Sequence, residues 1–387
     1  PVELGLERLL ASNRWRGQRV GLVCNPASVD RHLRHAADLF AARRDLQLAA
    51  LFGPQHGFHS DLQDNMIETP HAEDAVRRVP VYSLYSEVRE PTAEMLAGLD
   101  LLVIDLQDVG TRVYTFVYTM ANCLRAAARH GVPVVVCDRP NPIGGLGVEG
   151  PMLEPGFESF VGLFPIPLRH GLTIGELARL FNEHFGLGAT LEVVAMGGWS
   201  RGAWFDQTGL PWVMPSPNMP TLDTAIVYPG AVLFEGTLLS EGRGTTRPFE
   251  LVGAPWADER AVAQRLNAHA LPGVYFRPVR FEPTFQKHAQ VSCGGVQTHV
   301  LDRDAFVPVL TAAAMLREFH VEAPTAFAWR PPPYEYEHEK MPIDILAGSP
   351  LLRRQVEAHE DPRAMAAAWA PAVEAFEPVR RGGLLYE

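Results

Sequence analysis

Short apolar runs alternate with stretches of helical spacing through the first half of the chain, which is the pattern of a parallel sheet covered by helices. Residues 19–24 (RVGLVC) read as a buried strand closed by the turn Asn25-Pro26, and residues 32–43 carry Leu33, Ala36, Ala37 and Phe40 at helical spacing. Residues 46–52, 79–84, 99–106 and 132–137 supply four further strands, with a helix over 112–130 between the last two. Thr173 caps a helix over 173–185 with Glu176 at the capping-box position, and residues 191–195 follow as another strand. The predicted fold class is therefore α/β.

Each of these strands ends in polar residues or glycine. In open parallel sheets ligands bind outside the carboxyl ends of the strands, so Asn25 and residues 53–58, 105–112 and 138–141 become the places to look for chemistry. Over residues 208–221 proline and glycine are dense and periodicity vanishes, which places a domain boundary near Thr221. The expected division is 1–221 and 222–387. The second part, with helices over 258–269 and 305–319 and strands over 274–281 and 295–301, reads as a smaller α+β domain. The short Pro331-Pro332-Pro333 loop and an alanine-rich helix over 364–375 are read as carrying no chemistry.

A length of 387 residues agrees with two units, because single cores stop growing at roughly 250–300 residues. With 47% hydrophobic and 20% charged residues the chain can bury a full core. Its formal net charge of -11 repels phosphate backbones and anionic lipid, so nucleic acid is not an expected partner. No apolar run reaches the ~18 residues of a transmembrane helix. The chain opens at Pro1 without an apolar leader, so an export signal is expected either to have been removed or never to have existed. Cys24, Cys123, Cys137 and Cys293 show no metal-type spacing and read as inert core thiols.

The motifs narrow the chemistry by exclusion. The first strand leads into Asn25-Pro26-Ala27-Ser28 where a dinucleotide site needs a glycine-rich turn, and residues 143–147 are glycine-rich without a helix to follow. His-Glu-x-x-His is missing, and neither a metal nor any other cofactor is expected. Carboxylates remain. Asp105 and Asp108 close the strand over 99–106, and Arg112 lies four residues beyond Asp108, either as its structural partner or as part of a site. Asp138, Arg139 and Asn141 repeat an acid, a guanidinium and an amide one strand later. Gln55 and His56 sit in a glycine-flanked loop, as do Glu235 and the set Glu241 to Arg243 in the second half. Two carboxyl groups flanking a bond are the recurring requirement of glycoside hydrolysis.

Taken together, GPQHGF from Gly53, PVYSLY from Pro80, DLQDVGTRVYTF from Asp105, DRPNPIGG from Asp138, SPNMPT from Ser216, FEGT and SEGRGT from Phe234, PFELVGAPW from Pro248 and KMPIDILAG from Lys340 resemble the exo-β-N-acetylmuramidases of the NamZ type. The resemblance implies a Rossmann-like domain, a smaller C-terminal domain and a cleft between them. It also implies release of N-acetylmuramic acid from the non-reducing end of peptidoglycan fragments. It departs at one place: many members carry glutamate where this chain has Gln55, and glutamine cannot protonate a leaving group.

On that reading Asp108 and Glu241 are the leading carboxylate pair, with Glu68, His56 and Asp105 in support. Asn25, Gln55, Tyr114, Asp138, Asn141, Asn218 and Glu235 are expected to bind sugar. Arg112, Arg139 and Arg243 are candidates for the lactyl carboxylate, and Phe58, Tyr114 and Trp212 for stacking on a sugar face. The expected partner is a peptidoglycan-derived saccharide, met outside the cytoplasm. A muropeptide-binding protein without activity and a hydrolase for another terminal amino sugar are the alternatives.

Overall fold

The computed structural model describes residues 1–64 and 66–387. Its strands in chain order are β1 Arg19–Val23, β2 Gln47–Gly53, β3 Ala72–Asp74, β4 Val79–Ser83, β5 Leu101–Ile104, β6 Val134–Cys137, β7 Glu149–Met152, β8 Pro167–Arg169, β9 Leu191–Val194, β10 Leu251–Ala254, β11 Val274–Phe281 and β12 Cys293–Val300. Seven of them form one sheet in the order β3-β4-β2-β1-β5-β6-β9. Every pairing in it is parallel except β3 with β4.

The apolar runs explain the sheet. β1, β5 and β6 are covered on both faces, so almost every position is buried and the sequence reads as continuous Val, Leu and Ile instead of an alternation. The chain moves outward from β1 to β2 and β4, then returns to the other side of β1 as β5. That reversal opens a crevice at the carboxyl ends.

Helix Phe116–His130 covers one face and stops at Gly131, whose φ of 69° suits the left-handed cap. Thr173 and Glu176 form the predicted capping box. The helix beyond it does not run unbroken to Phe185: it is α-helical over Ile174–Arg179 and continues as a wider π turn over Leu180–His184. The helix expected from residue 112 begins only at Phe116, because residues 105–115 form an extended loop with Gly110 at φ 84°. A Cβ at Gly110 would lie 2.6 Å from the Asn141 amide oxygen, so only glycine fits.

The second half packs helices Leu222–Ala231, Glu259–Ala268 and Pro308–Glu322 against an antiparallel sheet β10-β12-β11. β10 lay hidden from the pattern because Leu251–Ala254 is only four residues long and holds a glycine. No helix among the described residues is long and apolar enough to cross a membrane. The four cysteines are free and buried, and burial pushes the Cys24 and Cys137 thiols well up.

Candidate active site

A narrow cleft of about 40 Å³ opens at the carboxyl ends of β2 and β5. Gln55 and His56 line it after β2, Tyr114 and Thr115 after β5, and Ser216 and Asn218 from the proline-rich loop. The second half contributes Tyr228, Glu235, Arg243, Tyr334 and Glu335.

Two buried acids define its chemistry. Glu335 sits in a loop where it and Tyr336 both adopt left-handed backbone, at φ 45° and 65°. Its carboxyl is 4% exposed, and burial pushes it up to about 7, helped by the negative charge of Glu235 and opposed by the hydrogen bond from Tyr85. The Tyr85 hydroxyl donates to Oε2 at 2.9 Å, while among the described residues Oε1 meets only the Gln55 amide, at 3.4 Å. Oε1 is thus the oxygen left to hold a proton. Glu235 is held differently: Arg243 donates to one oxygen at 2.6 Å and the Tyr334 hydroxyl to the other at 2.6 Å. One acid is pushed toward holding a proton near neutral pH, and the other is clamped between a guanidinium and a phenol.

His56 completes this wall. Its Nδ1 donates to the Leu62 carbonyl at 2.6 Å, which leaves Nε2 as a lone-pair acceptor. Burial lowers the ring to about 4, so it is neutral at pH 7. Thr115 donates to the Gln55 amide oxygen at 2.6 Å and so turns the amide nitrogen toward Glu335. Tyr114 donates to Ser216 at 2.9 Å.

Of the residues read as candidates from the sequence, Gln55, His56, Tyr114, Asn218, Glu235 and Arg243 are brought together here. The others have structural partners elsewhere. Asp105 is fully buried in a two-pronged pair with Arg139, at 2.6 and 2.7 Å. Arg112, proposed as a cation for substrate, is instead wholly buried, and its guanidinium is used on the carbonyls of Pro151, Ile166 and Leu346. Asp138 accepts from Thr173 and Gly175, each at 2.8 Å, and from Tyr386; burial raises it to about 6. Asn25 clamps the Pro215 carbonyl at 2.8 Å, and Asn141 clamps that of Leu172 at 3.0 Å.

The expected pair of Asp108 and Glu241 is not assembled in the cleft. Asp108 accepts from the Gly110 amide at 2.9 Å and lies 3.3 Å from Nε2 of His170. Glu241 bonds Arg243 at 2.8 Å and Lys287 at 2.6 Å; burial works to raise it, but those two cations outweigh burial and hold it at about 2, far too acidic to donate a proton. Glu68 is an acid at the surface, 47% exposed. Trp212 packs edge-on against Phe205, and Phe58 against His35, so neither ring is presented to the cleft.

Sequence reasoning missed Glu335, because the loop after Pro331-Pro332-Pro333 was set aside. A signal was there: in Tyr334-Glu335-Tyr336 an acid lies between two aromatic residues, an unusual setting for a solvated charge.

Comparison with known proteins agrees with this architecture. The family model described as exo-beta-N-acetylmuramidase NamZ, N-terminal, matches residues 20–223, and its C-terminal counterpart matches residues 226–386. The chain is 44% identical over 387 residues to the peptidoglycan beta-N-acetylmuramidase NamZ of Bacillus subtilis (strain 168), covering 100% of this chain and 91% of that protein. Two crystal structures of DUF1343 family proteins from Bacteroides fragilis NCTC 9343 superpose on it. Their TM-scores are 0.90 and 0.79 at 34% and 25% identity, and each comparison covers 100% of this chain and 99% of the other.

Proposed function

The chain belongs to the exo-β-N-acetylmuramidase NamZ family, and from that premise we propose that it is a glycoside hydrolase removing terminal N-acetylmuramic acid from the non-reducing end of peptidoglycan fragments, with Glu335 as the general acid. The observation that carries the assignment is the Glu335 carboxyl itself, buried in the cleft and pushed up to about 7. A carboxylic acid still protonated near neutral pH can give its proton to the departing glycosidic oxygen. Glu235, pinned by Arg243 and Tyr334, supplies the opposing negative charge for the oxocarbenium-like transition state.

The uncharged groups around them suit a sugar. The Nε2 of His56, the amide of Gln55 and the hydroxyls of Tyr114, Ser216 and Thr115 offer acceptors and donors for ring hydroxyls and an acetamido group. Asn218, which lines the cleft, donates to the Gln63 carbonyl at 3.1 Å and so ties the proline-rich loop to the loop after β2. The division at about residue 221 and an extracytoplasmic place of action belong to the same proposal, since peptidoglycan lies outside the membrane.

The test is incubation with a disaccharide of N-acetylmuramic acid β-linked to N-acetylglucosamine. Both monosaccharides are the expected products, and tight binding without release would replace the enzyme by a muropeptide-binding protein. A second prediction concerns the glutamine in the acid's own neighbourhood. In Gln55→Glu a new carboxylate faces Glu335 where the amide now donates. A like charge disfavours ionisation of its neighbour, so the alkaline limb of the kcat/KM profile should move up by about one pH unit. An unmoved or lowered limb would separate Glu335 from that limb.

A further inference from the structure

N-acetylmuramic acid differs from N-acetylglucosamine by a lactyl ether that ends in a carboxylate, and a selective site should meet that charge with a cation. The three arginines expected from the sequence are committed elsewhere: Arg112 to carbonyls, Arg139 to Asp105, and Arg243 to Glu235 and Glu241. Arg89 is placed differently. Its guanidinium carbon lies 4.1 Å from the centre of the Tyr85 ring, 4.6 Å from that of Tyr336 and 5.9 Å from that of Phe160.

These three rings adjoin residues that line the cleft. Tyr85 bonds Glu335, Tyr336 is its chain neighbour, and Phe160 precedes the lining residue Val161. A guanidinium set among aromatic faces is oriented without being neutralised.

What Arg89 touches now is informative. Its Nη1 donates to the Ser86 carbonyl, its Nη2 lies 3.4 Å from Oε1 of Glu68, and the Tyr336 hydroxyl donates to that same oxygen, also at 3.4 Å. A carboxylate oxygen is therefore received by a guanidinium and a phenol together, but at the long edge of bonding distance. The Glu68 side chain is 47% exposed against 20% for Arg89, so leaving this position brings it little desolvation penalty to recover. Glu68 acts as a weakly held stand-in for a carboxylate ligand.

We propose that Arg89 and Tyr336 form the receptor for the lactyl carboxylate of the substrate, with Glu68 as the internal carboxylate that it displaces. The proposal rests on the sugar-hydrolase reading of the cleft but not on any catalytic role within it. It gives Glu68 a job opposite to that of an acid catalyst: it competes with the lactyl carboxylate for Arg89 and leaves sugars without that carboxylate unaffected.

Titration calorimetry with free N-acetylmuramic acid and free N-acetylglucosamine tests it on the intact protein. Wild type should prefer the acid, and Arg89→Met should weaken that sugar by about 10–50-fold while leaving N-acetylglucosamine within about twofold. Arg89→Lys should recover part of the loss, as a point charge lacks the two-pronged fork. Glu68→Gln should do the reverse and tighten N-acetylmuramic acid by about threefold, the mark of a removed competitor. Unchanged N-acetylglucosamine binding shows that each variant keeps its cleft. Equal affinity of wild type for the two sugars, undiminished binding of the acid by Arg89→Met, or weaker binding by Glu68→Gln would each overturn the proposal. The readout is binding, so a wild type that binds selectively without turning over would remove the catalytic assignment and leave the receptor standing.

Discussion

Glu335→Gln is expected to lower kcat on the natural disaccharide by about 10²–10⁴-fold, the range that a positioned proton donor contributes. The amide keeps the shape of the side chain and can still accept from Tyr85, but it has no proton to give. Leaving-group dependence separates this from damage to the fold. An aryl muramide with an acidic phenol leaves almost unaided, so its hydrolysis should fall far less than that of the disaccharide; equal losses on both would point to binding or folding instead. The pH profile gives a second handle. The acid works in its protonated form, so wild-type kcat/KM should decline as pH rises through about 7, and in Glu335→Gln that limb should vanish.

Stability should move the other way. The folded-state value of Glu335 lies above its ordinary 4.5, so the native state is at a disadvantage wherever the group must ionise inside the cleft. That disadvantage is absent below the ordinary value, grows as pH climbs through the window from about 4.5 to 7, and is complete above it. Glu335→Gln should therefore melt higher than wild type at pH 8 and level with it at pH 4. Such an exchange of stability for activity is what a tuned catalytic acid entails.

The sheet was legible because its signal is local. β1, β2, β5 and β6 hold runs of four buried apolar residues, and β4 and β9, though only partly buried, are still mostly apolar and end in polar residues or glycine. Strand-end loops were legible as a set for the same reason, and Gln55 and His56 were found through them. What the sequence leaves open is the choice among acids. Asp105, Asp138 and Glu241 look like Glu335 in the sequence, and only the partners each meets across 34, 37, 46 or 250 positions of chain decide its charge and use. Arg139, Gly175, Lys287 and Tyr85 are those partners, and no spacing rule relates them to their acids. The same limit explains Arg112: an arginine four residues from an acid suggested a pair, yet its three carbonyl acceptors lie 39, 54 and 234 residues away.

Arg139→Met should destabilise the protein by about 3–5 kcal/mol, the usual result of leaving one member of a buried ion pair without its partner. Asp105 is 0% and Arg139 4% exposed at the side chain, so no solvent is at hand to take over when one charge is removed. The loss extends beyond the pair. Arg139 also donates to the Val29 carbonyl at 2.9 Å, and Ser28 donates to the Asp105 carbonyl, so a single guanidinium ties together the loops that leave β1, β5 and β6. Asp105→Asn removes the charge and keeps the shape, which should make it the milder of the two. A double-mutant cycle on urea unfolding should return a coupling of about 1–3 kcal/mol between the two sites. If Asp105 were instead a catalytic acid, the pattern would invert: Asp105→Asn would unfold at the wild-type urea concentration and lose turnover. The strand end that first draws the eye would then belong to the chemistry, whereas its burial and its two short bonds to Arg139 make it the brace on which the loops around the cleft are built.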